Sequence, residues 1–488
     1  MHAEGDYMAG NKNELYETIE SCRDELFELS DQIFDTPETC YQEVRSSAAQ
    51  IAFLKKHGFT LTEHLADIPT AFSASYGSGR PIIGILGEFD ALSGMSQQAG
   101  VAEPCPVGGE TNGHGCGHNL LGTGSIGAVL ALKEWLRKTG RQGTVIYFGT
   151  PAEEGGSGKG FLARAGVFDD LDCALSWHPG DQNRVFAASA LANILVRIRF
   201  HGKAAHAASS PYLGRSALDA VTLMNIGVQF LREHIIPDGR LHYAVTDTGG
   251  ISPNVVQKDA EGVYMLRAPK IEQCQEIYER LIDVAKGAAL MTGTEMECRF
   301  IKATCDLVPN RVLWKQLYAN MKEAPLPQIS EEGMAFAETI QGTIEERIGT
   351  LENQMKWLSE EDAEICRRHL GEPYYGFVVP LSPIEQLDLA SFDIGDVSHV
   401  IPAVHFYRAT WAADTALHVW QAAAQGKSET AHKTVLYAAK VLAGTAMDLM
   451  EDSSILAAAK AEFQERTGGK PYVCPMPPEV KPTGLTGK

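Results

Sequence analysis

Three short apolar runs, each followed by polar residues, constrain the fold of this chain more than any other feature of its sequence. They span residues 81–86, 144–148 and 173–176, and a helical pattern over 125–138 separates the first two. Buried strands that alternate with helices predict a mostly parallel sheet covered on both faces. We therefore predict an α/β fold with a doubly wound, mostly parallel sheet, and functional residues beyond the carboxyl ends of its strands.

Polar side chains stand at these three strand ends. The first run leads to Asp90, the second to Glu153 and Glu154, and the third to His178. Two adjacent carboxylates point in different directions, so that one can bind a metal ion while the other faces a substrate. A solvated acidic loop and an ordinary core histidine are the common explanations of such residues singly. Their shared position at strand ends favours a functional site that binds metal and substrate.

Residues 113–119 carry three potential metal ligands, His114, Cys116 and His118, among three glycines. Thiolate and imidazole groups bind divalent transition metals. Glycine lets the backbone turn sharply, so that nearby side chains can converge on one point. A turn with a buried cysteine and a surface histidine explains the segment equally well when it is considered alone. The carboxylates and the histidine at the strand ends favour the metal site.

The pattern changes near residue 190. Strand, helix, strand, strand, helix and strand patterns follow one another over 194–200, 217–233, 242–248, 262–267, 271–291 and 295–303. This is the β-α-β-β-α-β order of a ferredoxin-like unit. We predict an inserted α+β domain over 191–307 and a catalytic domain over 1–190 and 308–488. Within the latter, 12–35 reads as one amphipathic helix, 323–380 as an acidic, mostly helical insertion, and the residues from Gly468 as irregular.

Composition excludes several function classes. The net charge is −20 and basic residues form no stripe, which argues against nucleic-acid or anionic-membrane binding. No apolar run approaches the roughly 18 residues of a membrane span. Residues 1–14 lack the hydrophobic region of a signal peptide, and the ten cysteines are scattered without a CxxC pair. These features predict a cytoplasmic protein with reduced thiols.

Together, the segments 87–92, 114–118 and 151–156, with His178, resemble the dinuclear-metal aminoacylase and carboxypeptidase family. Within that family the chain is similar to the amidohydrolase branch, in which a Cys-Gly-His segment takes the place of an aspartate ligand. The likeness runs from about residue 12 to residue 450. It implies a metal-dependent amidohydrolase whose inserted ferredoxin-like domain serves as a lid and dimerisation domain.

The resemblance also implies roles for single residues. Two divalent ions, Mn²⁺ or Zn²⁺, would be bound by five ligands: Cys116, His118, Glu154, His178 and His418. His399 and His405 compete with His418 on spacing alone. Glu153 matches the general base, and Asp90 matches a carboxylate that orients a ligand.

The chain departs from the common branch at two positions. Asn119 replaces the usual Asp after the ligand histidine, and Phe392 stands where an acidic residue is common. The second departure leaves the roles of Asp393 and Asp396 open.

The inserted domain matches the family at two further motifs. Residues 202–207 resemble the lid motif in which a histidine, here His206, reaches the partner subunit's active site and hydrogen-bonds the scissile carbonyl. Residues 249–254 with Arg267 match a carboxylate-binding pair, formed here by Asn254 and Arg267. A guanidinium fork suits a carboxylate, although a surface histidine and a solvated strand arginine are the ordinary explanations of these residues. The resemblance implies a homodimer through the lid domain, or a heteromer with a paralogous subunit.

The activity implied by the resemblance is hydrolysis of the amide bond of an N-acyl amino acid, with an aroyl-glutamate among the candidates, by a water that Glu153 activates. A dipeptidase or general aminoacylase is the alternative within the family. A structural zinc protein or a catalytically silent partner subunit is the third hypothesis. A structural zinc site uses four closed ligands and no free base, so the presence of Glu153 beside five ligand candidates argues against the third.

Overall fold

The computed structural model describes residues 4–484, which divide into two compact units. The first unit contains the chain up to Ala188, Val308–Gln386 and Val397–Tyr472. The second contains Ser189–Leu307, Leu387–Asp396 and the segment from Val473. The sequence did not indicate that these last two segments group with residues 191–307, because both are short and carry no regular pattern. Within residues 4–484, no helix is long and apolar enough to cross a membrane.

The strands are numbered here in chain order. They are β1 Thr60–Glu63, β2 Phe72–Ser78, β3 Ile82–Gly87, β4 Leu92–Ser93, β5 Asn112–Gly113, β6 Gly143–Gly149, β7 Cys173–Gly180, β8 Arg184–Val185, β9 Ala188–Ala190, β10 Ala192–His201, β11 Arg240–Asp247, β12 Asp259–Ala268, β13 Glu295–Thr304, β14 Gln386–Asp388 and β15 Ala403–Ala409.

The helices follow the same convention. They are α1 Glu4–Ser21, α2 Arg23–Phe34, α3 Val44–Lys56, α4 His118–Thr139, α5 Glu153–Gly156, α6 Gly158–Arg164, α7 Ala217–Glu233, α8 Ile271–Thr292, α9 Arg311–Glu323, α10 Glu331–Gln341, α11 Thr350–Met355, α12 Glu360–Arg367, α13 Ile394–Val400, α14 Trp420–Ala424, α15 Glu429–Glu451 and α16 Ser453–Thr467.

A seven-stranded sheet forms the centre of the first unit, in the order β1-β2-β6-β3-β7-β15-β8. The pairings of β6 with β3, β3 with β7 and β7 with β15 are parallel, and the outer pairings are antiparallel. The main hydrophobic core joins this sheet to α4 and α15, which are buried along most of their length. The α/β prediction is confirmed, with the parallel part at the centre of the sheet.

Three local predictions were wrong. The opening helix is interrupted at Cys22, between α1 and α2. Helix α4 begins at His118 rather than Ser125, because Gly122 and Gly124 obscure the helical pattern of its first turns. The segment 323–380 is not mostly helical: only the short helices α10, α11 and α12 interrupt its irregular path.

The second unit contains a four-stranded antiparallel sheet in the order β11-β12-β10-β13. Helices α7 and α8 bury their apolar sides, and the chain follows the predicted β-α-β-β-α-β order. β11 is an edge strand on which Tyr243 and Val245 are exposed, and Ile226 and Phe230 are exposed on α7. An exposed apolar edge strand is a ready template for pairing with another chain.

Candidate active site

The glycine-rich segment folds into a left-handed turn that leads into α4. Gly117 has φ +74°, and a Cβ placed on it would lie 3.0 Å from side-chain atoms of both Pro179 and Trp411. Glycine is therefore needed at this position for its backbone conformation and for space. The turn places Cys116 just before the helix and His118 in its first turn, with both side chains buried.

The strand-end residues come together because β6, β3 and β7 are neighbours in the sheet. Asp90 follows β3, and Glu153 and Glu154 begin α5 after β6. β7 continues to Gly180, so that His178 lies within this strand rather than beyond its end.

The five predicted ligands and Glu153 form three overlapping groups. Cys116, His118 and His178 make up one; Cys116, Glu154 and His418 the second; and His118, Glu153 and Glu154 the third, the candidate ligand atoms of each lying within 4.8 Å of one another. Cys116 Sγ is 3.5 Å from His178 Nε2, and His418 Nε2 is 3.3 Å from Glu154 Oε1. The structure thus brings together residues from widely separated parts of the chain.

Two histidines of these groups are held by one ring nitrogen each. His118 Nδ1 lies 2.9 Å from Asp90 Oδ1, and His178 Nδ1 lies 2.7 Å from the carbonyl oxygen of Pro179. Since an acceptor at Nδ1 fixes the proton there, Nε2 of each ring is left to bind a metal ion. The other oxygen of Asp90 accepts a hydrogen bond from the backbone N–H of Glu154 at 3.0 Å. Asp90 therefore orients both His118 and the chain at Glu154.

Burial and mutual charge shift the titration of the cluster. Burial raises the pKa of Cys116 well above its ordinary value. Burial lowers the pKa of His178 to about 4, with the neighbouring His118 acting in the same direction. For His118 burial alone would lower the pKa, but Cys116 and nearby carboxylates raise it well above its usual range. Burial likewise opposes ionisation of Glu154, yet His418 and His118 lower the pKa of that carboxyl to about 2.

The donor set fits divalent transition metal ions. It offers one sulfur, imidazole nitrogens and carboxylate oxygens, a combination that accommodates Mn²⁺ or Zn²⁺. His118 Nε2 and Glu154 Oε1 are buried, and their nearest polar neighbours are Glu88 Oε2 at 3.2 Å and His418 Nε2 at 3.3 Å. Among the described residues neither atom has a partner in hydrogen-bond geometry. Buried polar atoms normally have a partner, and a bound cation would supply it.

His418 belongs to this cluster through its loop. Its φ is +62°, and its backbone N–H donates to the carbonyl oxygen of Gly115 at 3.1 Å, so that the loop is anchored to the glycine-rich segment. Among the described residues, neither His399 nor His405 belongs to a candidate metal group. His405 lies in β15 and stacks on Phe186, with ring centroids 4.4 Å apart.

The two departures from the family pattern have separate surroundings. The amide nitrogen of Asn119 donates to Ser30 Oγ at 3.1 Å and to the carbonyl oxygen of Gly426 at 3.3 Å. A carbonyl oxygen needs a donor, which an ionised Asp could not provide. Asp396, near Phe392, accepts from the backbone N–H of Cys305 at 3.2 Å, within the second unit.

One residue beside the cluster had no predicted role. Glu88 Oε2 lies 3.2 Å from His118 Nε2, and Glu88 Oε1 accepts from the buried Lys159 Nζ at 2.6 Å. Because Glu88 and Asp90 are two residues apart just after a strand, the two-residue repeat of extended chain was a signal for Glu88. Nothing in the sequence singled out Lys159.

The remaining predicted residues lie in the second unit. His206 is exposed, and its Nδ1 accepts from the backbone N–H groups of Ala208 and Ser209, each at 3.2 Å. In the neutral ring the proton therefore lies on Nε2, which can donate a hydrogen bond. Asn254 is also exposed, and its backbone carbonyl oxygen accepts a hydrogen bond from the backbone N–H of Ala207 at 3.0 Å. The segments 202–207 and 249–254 are thus joined by a hydrogen bond and lie side by side.

Arg267 is half-buried on β12. Its guanidinium donates to Ser391 Oγ at 3.0 Å and contacts Met265 Sδ at 3.3 Å. Burial lowers the pKa of this guanidinium. Among the described residues it forms no ion pair, so that its charge is uncompensated within that part of the chain.

Comparisons with known proteins identify the family of the chain. A model of the peptidase family M20/M25/M40 matches residues 84–482. The chain is 46% identical to a subunit of the p-aminobenzoyl-glutamate hydrolase of Escherichia coli K12, over 96% of this chain and 98% of the relative. It is 28% identical to the Xaa-Arg dipeptidase of Mus musculus, over 93% and 92% of the two chains.

A solved Bacillus subtilis structure, described as a dinuclear metal binding peptidase from the M20 family, has the same fold. It superposes with a TM-score of 0.52 at 16% identity, and the match covers 88% of this chain and 99% of the other.

Proposed function

The chain belongs to the peptidase family M20/M25/M40 and is a hydrolase of amide bonds, and we propose that it cleaves an N-acyl amino acid, with p-aminobenzoyl-glutamate as the first substrate to test. One observation carries the proposal: Glu153 shares a ligand group with His118 and Glu154. A carboxylate that borders a metal site is what a general base of hydrolysis requires.

The proposed reaction gives each residue of the first unit a task. Cys116, His118, Glu154, His178 and His418 would hold two divalent ions per subunit, which when bound lower the pKa of a water molecule and polarise the amide carbonyl. Glu153 takes the proton of the attacking water and delivers it to the leaving amine. Asp90 keeps His118 and the chain at Glu154 in place through its two hydrogen bonds.

Residues of the second unit would bind the rest of the substrate. Arg267, which has no ion pair among the described residues, and Asn254 would hold the carboxylate of the released amino acid. His206 has its ring proton on Nε2 when neutral and would donate to the oxyanion from the partner subunit. One such donor is typically worth about 3–4 kcal/mol to the transition state.

Arg267→Ala should raise KM for substrates with a free carboxylate far more than for their carboxyl amides. Removing a charge-assisted hydrogen bond costs about 1.5–3 kcal/mol, and this cost falls on the acid alone. Arg240→Ala is a matched control, because Arg240 stands opposite Arg267 on the neighbouring strand and donates to backbone carbonyls. Equal effects of Arg267→Ala on acid and amide would remove it from the carboxylate site.

We also propose a homodimer through the second unit, with a heteromer as the alternative. The exposed side chains of β11 and α7 supply an apolar face next to an unpaired strand edge. A two-fold axis at such an edge would pair β11 with its copy. The E. coli relative is one subunit of its hydrolase. The heteromer proposed as the alternative would pair this chain with a paralogous subunit.

Mixed dimers test whether His206 serves the neighbouring subunit. Glu153→Gln and His206→Ala homodimers should both be nearly inactive. After dissociation and random reassociation about half the dimers are mixed, and each has one intact site, so that about a quarter of wild-type activity should return. If subunit exchange is demonstrated without recovery, His206 does not act in trans.

A hydrolysis screen of N-acyl amino acids in the presence of Mn²⁺ or Zn²⁺ tests the activity itself. We expect aroyl-glutamates to be cleaved with higher kcat/KM than dipeptides. Preference for dipeptides would favour the alternative to which the Xaa-Arg dipeptidase relative points. No turnover of any amide by metal-loaded protein would contradict the proposal and favour a silent partner subunit.

A further inference from the structure

A buried carboxyl group lies behind the proposed general base. Glu43 is fully buried and stands at the end of the loop 36–43, just before α3. Its Oε1 accepts hydrogen bonds from the backbone N–H of Tyr41 at 2.9 Å and from that of Ala152 at 3.0 Å. Its Oε2 accepts from Thr70 Oγ1 at 3.1 Å. The side chain thus joins three separate segments of the first unit.

The bond to Ala152 falls at a residue whose backbone is left-handed. Ala152 has φ +61° and is fully buried, a conformation that residues other than glycine rarely adopt. It directly precedes Glu153. Strained residues of this kind persist only where their surroundings hold them, and the N–H of Ala152 is held by Glu43. Glu43 therefore holds the chain directly before Glu153, between the end of β6 and the start of α5.

Tyr41, on the same loop as Glu43, contacts helix α5. The hydroxyl of Tyr41 donates to the carbonyl oxygen of Gly156, the last residue of α5, at 2.8 Å. A Cβ on Gly156 would lie 2.5 Å from the Tyr41 ring, so that the ring packs directly on the backbone. Both ends of α5 are thus in contact with the loop.

We infer that Glu43 is a positioning residue for Glu153, acting through the Ala152 N–H. The inference rests on the proposed function, in which Glu153 is the general base. Glu154 has its own anchor in Asp90, so that metal binding and base positioning depend on different contacts. Loss of Glu43 should therefore impair turnover without removing the metal.

Hydrogen bonding, rather than charge, is what this position requires. A glutamine could accept both backbone N–H groups with its amide oxygen and donate to the Thr70 hydroxyl with its nitrogen. Burial raises the pKa of Glu43 to about 8, with Asp90 acting in the same direction, and a neutral carboxyl has the same donor and acceptor pattern. Methionine has a similar length but no comparable acceptor.

The test compares Glu43→Met with Glu43→Gln. In Glu43→Met we expect kcat to fall about 10–10²-fold, the usual effect of a misplaced catalytic group, with KM within about twofold of wild type and metal per subunit unchanged. Glu43→Gln should restore kcat to within about threefold of wild type, because it keeps both bonds from backbone N–H groups and can donate to the Thr70 hydroxyl in place of the third.

Glu38→Met is the matched control. Glu38 lies on the same loop and also accepts backbone N–H groups, those of Arg45 and Ser46, but among the described residues it bonds none at α5. The Glu38→Met substitution should lower the melting temperature and leave kcat unchanged. If Glu43→Met does not fold, Thr70→Val removes one bond to the same carboxyl and should lower kcat severalfold, with Thr70→Ser restoring it.

Three outcomes would overturn the inference. Wild-type kcat in folded Glu43→Met would show that Ala152 needs no support. Equal losses in Glu43→Met and Glu43→Gln would show that charge matters instead. An equal loss of kcat in Glu38→Met would show a general effect of loop stability. Wild-type enzyme assayed in parallel separates these outcomes from failure of the proposed function, since an inactive wild type would contradict the function itself.

Discussion

Glu153→Gln is expected to keep its metal content and to lose at least about 10²-fold in kcat, the usual contribution of a general base. The amide keeps the shape of the side chain but accepts no proton at neutral pH. The measurement needs kcat on the best substrate together with metal per subunit from elemental analysis. Retained metal shows that the loss is chemical rather than structural.

Glu154→Gln is the matched control, one residue further along α5. Glu154 lies close to both His118 and His418, at 4.0 and 3.3 Å, so that its neutral analogue should lose metal as well as activity. Equal loss of metal in both variants would mean that the two glutamates do not divide the roles as proposed. Full activity in Glu153→Gln would remove it as the base.

Chelation should abolish hydrolysis, and readdition of Mn²⁺ or Zn²⁺ should restore it. The reason is that the ions supply the acidified water for attack, which the protein side chains cannot replace. Activity, metal content and melting temperature should be followed together. Because the ligands come from distant segments, we also expect removal of the ions to lower the melting temperature.

Cys116→Ala should also give protein depleted of metal, without a chelator. It removes the sulfur shared by two of the three ligand groups, so that at least one ion should be lost. Full turnover by rigorously metal-free wild-type protein would disprove the metal-dependent mechanism.

The residues at the strand ends are the part of the site that could be predicted from the sequence alone. Asp90, Glu153, Glu154 and His178 follow or end apolar runs, and the rule that parallel strands share their carboxyl edge predicts their proximity from sequence alone. His418 came from the family resemblance. Its loop is irregular and has a left-handed backbone at the histidine, which no periodic pattern predicts.

Other features depended on tertiary contacts that leave no local signal. Glu43 resembles any other acidic residue in the sequence, and its role follows from full burial and from its bond to Ala152. The same holds for Lys159, whose buried charge pairs with Glu88. Segment 387–396 joined the second unit through long-range packing that its sequence does not reveal.

The position of β15 in the central sheet has a consequence for biosynthesis. This strand pairs with β7, Phe406 lying opposite Trp177, although they lie far apart in the chain. As the chain leaves the ribosome, one edge of β7 must wait for residues 403–409, whereas most of the second unit is contiguous and can fold early. Waiting strand edges invite aggregation. Nascent or truncated chains that stop before β15 should therefore depend on chaperones to stay in solution.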